Sequence, residues 1–170
     1  MPTRSRAGRL LALPLATALS ASAISAAGLA VQSNESAAEA AHSHRDKKLH
    51  HAVRIAKRQI GEPYRYGANG PGSFDCSGLT YYSYRRAGFK MPRTSGGQYS
   101  RVRHIKKRNI KRGDFVFFHS GGSVYHVAIY LKRKNGNRII LHSPSSGRTV
   151  QRDPVWTRSW WAGTLRKRHR

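Results

Sequence analysis

The chain has 170 residues, with 32 Lys and Arg against 7 Asp and Glu, a formal charge of +25, and a single cysteine. Its length fits one domain, and 38 % apolar residues are enough for one core. The lone cysteine excludes an internal disulfide framework, and the charge excludes a protein indifferent to polyanions.

Arg4, Arg6 and Arg9 precede an apolar run from Leu10 to Leu19, and small residues follow as far as Val31. This reads as a secretory signal, so residues 1–40 are expected to be a signal peptide and small-residue region. Three cleavage sites remain open, within Ala21-Ser22-Ala23, Ser25-Ala26-Ala27 and Ala38-Glu39-Ala40. Pro14 and the Ser/Thr content argue against the alternative of an uncleaved membrane anchor, so no stable span is expected after cleavage. Export makes wall carboxylates and phosphate-bearing wall polymers the expected anionic partners. Nucleic acid is not expected, because the basic clusters Lys106-Lys107-Arg108, Lys132-Arg133-Lys134 and Arg166-Lys167-Arg168 are scattered and no groove-entering motif accompanies them.

Residues 41–48 are polar and His-rich and read as a flexible lead, which puts the folded domain at 49–170. Leu49, Val53, Ala56 and Ile60 recur at helical spacing, with Gly61 and Pro63 as the stop. After a Gly- and Tyr-rich loop, a second helix is predicted over 75–87, with Asp75 as its cap and Gly88 as its end. Strands are predicted over 114–119, 124–131, 138–143 and 160–165. Helices first and antiparallel strands after give an α+β fold.

Cys76 falls on the first turn of the second helix. A thiolate is the nucleophile, and the unpaired N–H groups and dipole at a helix N-terminus are expected to favour it. Of nine histidines, His42, His44, His50, His51 and His169 lie in polar segments, His104 sits among basic residues, and His119 ends a strand. His42-Ser43-His44 lacks the carboxylates or thiols that would complete a metal shell, so no metal is expected. His126 and His142 lie inside apolar strands, where a polar ring needs partners. If a two-residue Asn135-Gly136 turn joins the strands without irregularity, Ile129 faces His142 and the two rings point to opposite faces. A three-residue Lys134-Asn135-Gly136 loop pairs Ala128 with His142 and puts both rings on one side, an outcome that a bulge elsewhere also permits. The second arrangement suits catalysis, with His142 orienting His126 as a general base for Cys76.

Six segments, Tyr64-Arg65-Tyr66-Gly67, Asp75-Cys76-Ser77-Gly78-Leu79, Pro92-Arg93-Thr94-Ser95, Gly113 to Phe118, His126 to Tyr130 and Leu141-His142-Ser143, occur in this order. In sequence and spacing the chain from Leu49 onward resembles the NlpC-type cell-wall peptidases. The resemblance implies a compact papain-like domain that hydrolyses peptidoglycan stem peptides, typically between D-glutamate and diaminopimelate, through an acyl-enzyme. It maps the nucleophile, base and third polar residue onto Cys76, His126 and His142. It places Tyr66, Asp75 and Ser77 at the substrate groove, although Asp75 equally serves as a helix cap. Ala68 stands where many relatives have a second glycine, and no separate wall-binding module is recognised. Such chemistry needs no cofactor, and a monomer is the expectation. A papain-like amidase or transferase, and a catalytically dead basic wall- or nucleic-acid-binding protein, are the alternatives.

Overall fold

A computed structural model describes residues 26–167, and side chains from residue 36 onward. The chain divides after Glu35 into two units, and the second carries the fold described below. Part of the expected leader, residues 1–25, lies outside the described residues. Among the described residues no helix is long and apolar enough to cross a membrane.

Three helices, α1 (Ala26–Lys57), α2 (Cys76–Arg86) and α3 (Ser95–Arg101), precede or accompany six strands. The strands are β1 (Arg103–Ile105), β2 (Phe115–Ser120), β3 (Ser123–Lys134), β4 (Asn137–His142), β5 (Gln151–Pro154) and β6 (Trp160–Thr164). They form one antiparallel sheet in the order β1-β6-β2-β3-β4-β5. This is the predicted α+β class.

Both faces of the sheet are covered, which explains why Phe115-Val116-Phe117-Phe118 is apolar without alternation. Phe115 and Phe117 join Leu49, Val53, Leu79, Tyr84, Val127, Ile129 and Leu141 in the core against the helices. Val116 and Phe118 turn the other way and pack with Ala128, Tyr130, Ile140, Trp160 and Ala162. Tyr84, fully buried, donates its hydroxyl to the Gly113 carbonyl at 2.7 Å and so ties α2 to the entrance of β2.

Residues 41–48, read from composition as a flexible lead, are helical and belong to α1. Ala41, Arg45, Lys47 and Lys48 of this stretch are good helix formers. Arg45 and Lys48 then lie over the Phe89 ring, and Lys48 donates to the Gly88 carbonyl at 2.7 Å. The edge strands β1 and β5 and the helix α3 were not predicted. Arg-His-Ile and Gln-Arg-Asp-Pro have no apolar alternation because edge strands bear polar residues. In α3, Gly96 and Gly97 mask a helix that Thr94 caps by accepting the Gly97 N–H at 3.2 Å.

The β3–β4 hairpin departs from the expected loop. Asn135 and Gly136 have φ of 49° and 78° and form the two-residue turn, with Lys134 facing Asn137. The register then slips between Tyr130 and Lys132, so that Tyr130 faces Ile140 and Ile129 faces Leu141. Leu131 is thus a bulge that restores the phase the three-residue loop was expected to supply. His142, the next residue of β4, falls in step with Ala128.

Candidate functional site

The N-terminus of α2 is built by the side chain of Asp75. Its Oδ1 accepts the Gly78 N–H at 2.6 Å and its Oδ2 the Gly67 N–H at 3.0 Å, which ties the helix to the Tyr64–Gly67 loop. Arg93 forks onto the same carboxylate, Nη2 to Oδ2 at 2.6 Å and Nη1 to Oδ1 at 3.0 Å, and Ser77 Oγ donates to Oδ1 at 3.2 Å. Despite the cost of burial, these donors hold Asp75 below the usual carboxylate range, Arg93 contributing most. A Cβ on Gly78 would overlap the Ala68 carbonyl oxygen, so only glycine lets loop and helix approach this closely. The Asp-Cys-Ser-Gly and Pro-Arg-Thr-Ser segments are therefore one structural unit that fixes residue 76. Asp75 and Ser77 are buried and already engaged. Tyr66, by contrast, is 89 % exposed on the loop beside them.

Cys76 is the first residue of α2. Its sulfur accepts from the backbone N–H of Val127, which places it against β3 at the residue that follows His126. Burial pushes the thiol up from its ordinary value and neighbouring Asp75 adds to this, outweighing the Val127 and Ser77 N–H groups. The sequence expectation of a lowered thiol is thus reversed: desolvation of the anion exceeds what the helix terminus supplies.

His126 and His142 are both buried, and His126 Nε2 lies 2.8 Å from His142 Nδ1. His142 Nε2 lies 2.9 Å from Oδ2 of Asp153, on β5. The charges fix the tautomers. The Asp153 carboxylate can only accept, so His142 donates from Nε2 and is left with a bare Nδ1. His126 then donates from Nε2, and its own Nδ1 is left bare as an acceptor. Burial lowers His126 to about 3, helped by repulsion from His142. Burial likewise lowers His142, partly offset by Asp153. Both rings are neutral at neutral pH.

Asp153 also accepts from Gln151 Nε2 at 2.8 Å and Arg148 Nη2 at 3.2 Å. Sequence reading missed Asp153 because β5 has no strand pattern to give its parity. Trp156 was missed as well. It stacks on Phe118 with ring centroids 3.9 Å apart, and its centroid lies 5.7 Å from His126 and 5.4 Å from His142. Half exposed, it walls the histidine pair on the solvent side. His119 and His104 lie elsewhere: His119 stacks on Trp161 and His104 on Tyr99. Among the described residues, no three His, Cys, Asp or Glu side chains gather as a metal shell.

Residues 61–169 match the family model described as NlpC/P60 family. A probable endopeptidase p60 of Listeria monocytogenes is 39 % identical over 105 residues, covering 62 % of this chain and 20 % of the relative. The peptidoglycan endopeptidase RipA of Mycobacterium tuberculosis is 39 % identical over 120 residues, 63 % of this chain and 24 % of that protein. The chain therefore matches only about a fifth to a quarter of the length of these relatives. Among solved structures, the P60 domain of an M. avium subspecies paratuberculosis antigen superposes with a TM-score of 0.63 at 30 % identity, covering 72 % of this chain and 98 % of that one. The M. tuberculosis peptidoglycan hydrolase RipB gives 0.64 at 29 % identity, covering 74 % and 68 %. RipD of the same organism, a non-catalytic NlpC/p60 domain protein adapted to peptidoglycan binding, gives 0.59 at 26 %, covering 69 % of this chain and 97 % of that one.

Proposed function

The chain belongs to the NlpC/P60 family, with its papain-like fold, and from that premise we propose that it is a peptidoglycan endopeptidase whose nucleophile is Cys76. The observation that carries this reading is the Cys76 sulfur lying against Val127 while the adjacent His126 keeps Nδ1 free through the His142–Asp153 chain. A non-catalytic binding domain has no need of a buried base held in one tautomer.

In this reading the substrate is a wall stem peptide, cut between D-glutamate and diaminopimelate. As Cys76 Sγ attacks the carbonyl carbon, its proton passes to His126 Nδ1. The developing imidazolium is stabilised through His142 by the Asp153 carboxylate, and the backbone N–H of Cys76 at the helix terminus faces the developing oxyanion. Collapse breaks the C–N bond, the departing amine takes the proton from His126, and a thioester remains. Water then attacks the thioester carbonyl while His126 takes its proton; the sulfur leaves, regains a proton from His126, and the glutamyl carboxylate is released. Because thiol and base begin neutral, the charges form only along the reaction, where Asp153 counts most.

Tyr66 is the proposed rim of the substrate groove. Asp75 and Ser77 act chiefly by fixing Cys76 and Arg93, since an amine reaching Asp75 would have to displace the guanidinium. Secretion and wall association follow from the substrate and from the leader read in residues 1–40. Digestion of purified muropeptides followed by mass spectrometry tests the reading: fragments ending in D-glutamate or its amide support it, and glycan strands released with intact stems would mark an amidase instead.

A further inference from the structure

Beyond the Leu131 bulge, at the far end of the hairpin from the turn-free histidine pair, a cleft of about 650 Å³ opens beside the end of α1. Five cations converge on it: Lys57 from α1, Arg112 from the loop before β2, Lys132 and Lys134 from β3, and Arg152 from β5. No carboxylate lines it, and its floor is Leu131 and Ile139.

The bulge is what assembles the cluster. Leu131 packs in the core beneath the helices, and Lys132, which would otherwise alternate to the opposite face, pairs with Ile139 on that same side. Lys134 follows two residues later. Arg152 is in register with Leu141, another residue of the helix-side core. Lys57 is depressed first by burial and then by Arg112, Arg152 and Lys132, so the charges act on one another. Among the described residues, none of the five side chains forms a hydrogen bond or an ion pair. A second basic pocket, near Arg45 and Lys48, differs in this respect. There Arg45 donates to the Leu165 carbonyl and Lys48 to the Gly88 carbonyl, and both lie over Phe89.

Unpartnered like charges in one cleft repel one another, and a polyanion relieves that repulsion. Arg112 and Arg152 offer planar forks suited to phosphate oxygens, and the lysines offer point charges. The apolar floor suits the carbon spacer between phosphates. No aromatic ring lines the cleft, so it lacks the stacking platform that single-stranded nucleic acid uses. We propose that this cleft binds a phosphodiester chain with aliphatic linkers, of the glycerol-phosphate kind, and holds the domain on the anionic polymer of the wall. Naming the wall as the source rests on the proposed function; the anion site itself does not.

The test uses the full chain and a fluorescent synthetic glycerol-phosphate oligomer, with binding read by anisotropy. The double variant Lys132→Gln, Lys134→Gln removes two cleft charges, and Lys47→Gln, Lys106→Gln removes two exposed charges elsewhere. The expected result is a loss of about tenfold or more in affinity for the first and less than about threefold for the second. Polyglutamate of equal charge should bind more weakly than the oligomer. Equal losses in the two variants, equally tight polyglutamate, or tighter oligothymidylate would each overturn the proposal. Hydrolysis of soluble muropeptides should be unchanged in the cleft variant. Absence of hydrolysis in the unaltered chain would defeat the enzyme reading while leaving the binding result standing.

Discussion

His142 donates from Nε2 to Asp153 across the last two strands of the sheet, at 2.9 Å, and so decides which nitrogen of His126 can accept a proton. In the proposed reaction, that nitrogen is the one that takes the proton of Cys76. An aspartate on a polar edge strand thereby sets the state of a base that it does not touch.

Asp153 is accordingly a positioning residue. Replacing it with Asn keeps the shape and removes the charge, and kcat should fall about 10- to 100-fold with little change in KM. Loss of the carboxylate disfavours the His142 imidazolium, so the His142 titration followed by NMR should move to lower pH. A fall in kcat without that movement would point to a merely structural role.

The resting thiol and imidazole should be neutral together. Burial raises Cys76 and lowers His126 to about 3, so the alkylation rate with iodoacetamide should keep rising past pH 9 and show no plateau at neutral pH. The acid limb of hydrolysis should lie below the ordinary imidazole value of 6.5. A plateau of alkylation from acid pH upward would instead reveal a preformed thiolate–imidazolium pair.

Asp75 should matter to stability because it is buried and holds both the helix terminus and Arg93. Asp75→Ala removes a helix cap and strands Arg93, a loss of about 2–4 kcal/mol in urea unfolding. Its folded pKa is depressed, so the stability it contributes is present above its unfolded value and is lost as pH falls through the folded one. Below pH 3.8, therefore, the difference between the native chain and Asp75→Asn should shrink.

The bulge should matter for phase and not for the identity of its residue. Deleting Leu131 leaves Lys132 facing Ile139 and Tyr130 facing Ile140 in a regular hairpin, so His142 stays in step with Ala128, on the side of His126. Hydrolysis of muropeptides should therefore survive the deletion within about tenfold, while urea unfolding shows a loss of about 2–5 kcal/mol for the missing core leucine. Loss of hydrolysis in a folded deletion variant would contradict this register.

What could be read from the sequence followed burial. Phe115–Phe118, Val127–Leu131 and Ile139–Leu141 announce themselves as strands because the core needs them apolar, and Asp75 announces the helix that begins at Cys76. The polar edges β1 and β5 carry no such pattern, and Asp153 was hidden with them. The hairpin is the instructive case. Pairing both histidines on one side was the right outcome, but the expected three-residue loop is a two-residue turn, and the extra residue sits at Leu131. Local turn chemistry favoured Asn135-Gly136, and no sequence signal marks a buried leucine as a bulge. The helical propensity of residues 41–48 was likewise obscured by their polarity, since the contacts that hold them come from Phe89 and Gly88, far along the chain.

Cys76 is the only cysteine in the chain, so alkylation is unambiguous. The most direct measurement is the muropeptide digest repeated on protein carrying one carboxamidomethyl group at Cys76, with the product spectrum compared with that of unlabelled protein. The account predicts that fragments ending in D-glutamate or its amide appear with the free thiol and vanish on labelling. Undiminished release of those fragments by fully labelled protein would contradict it.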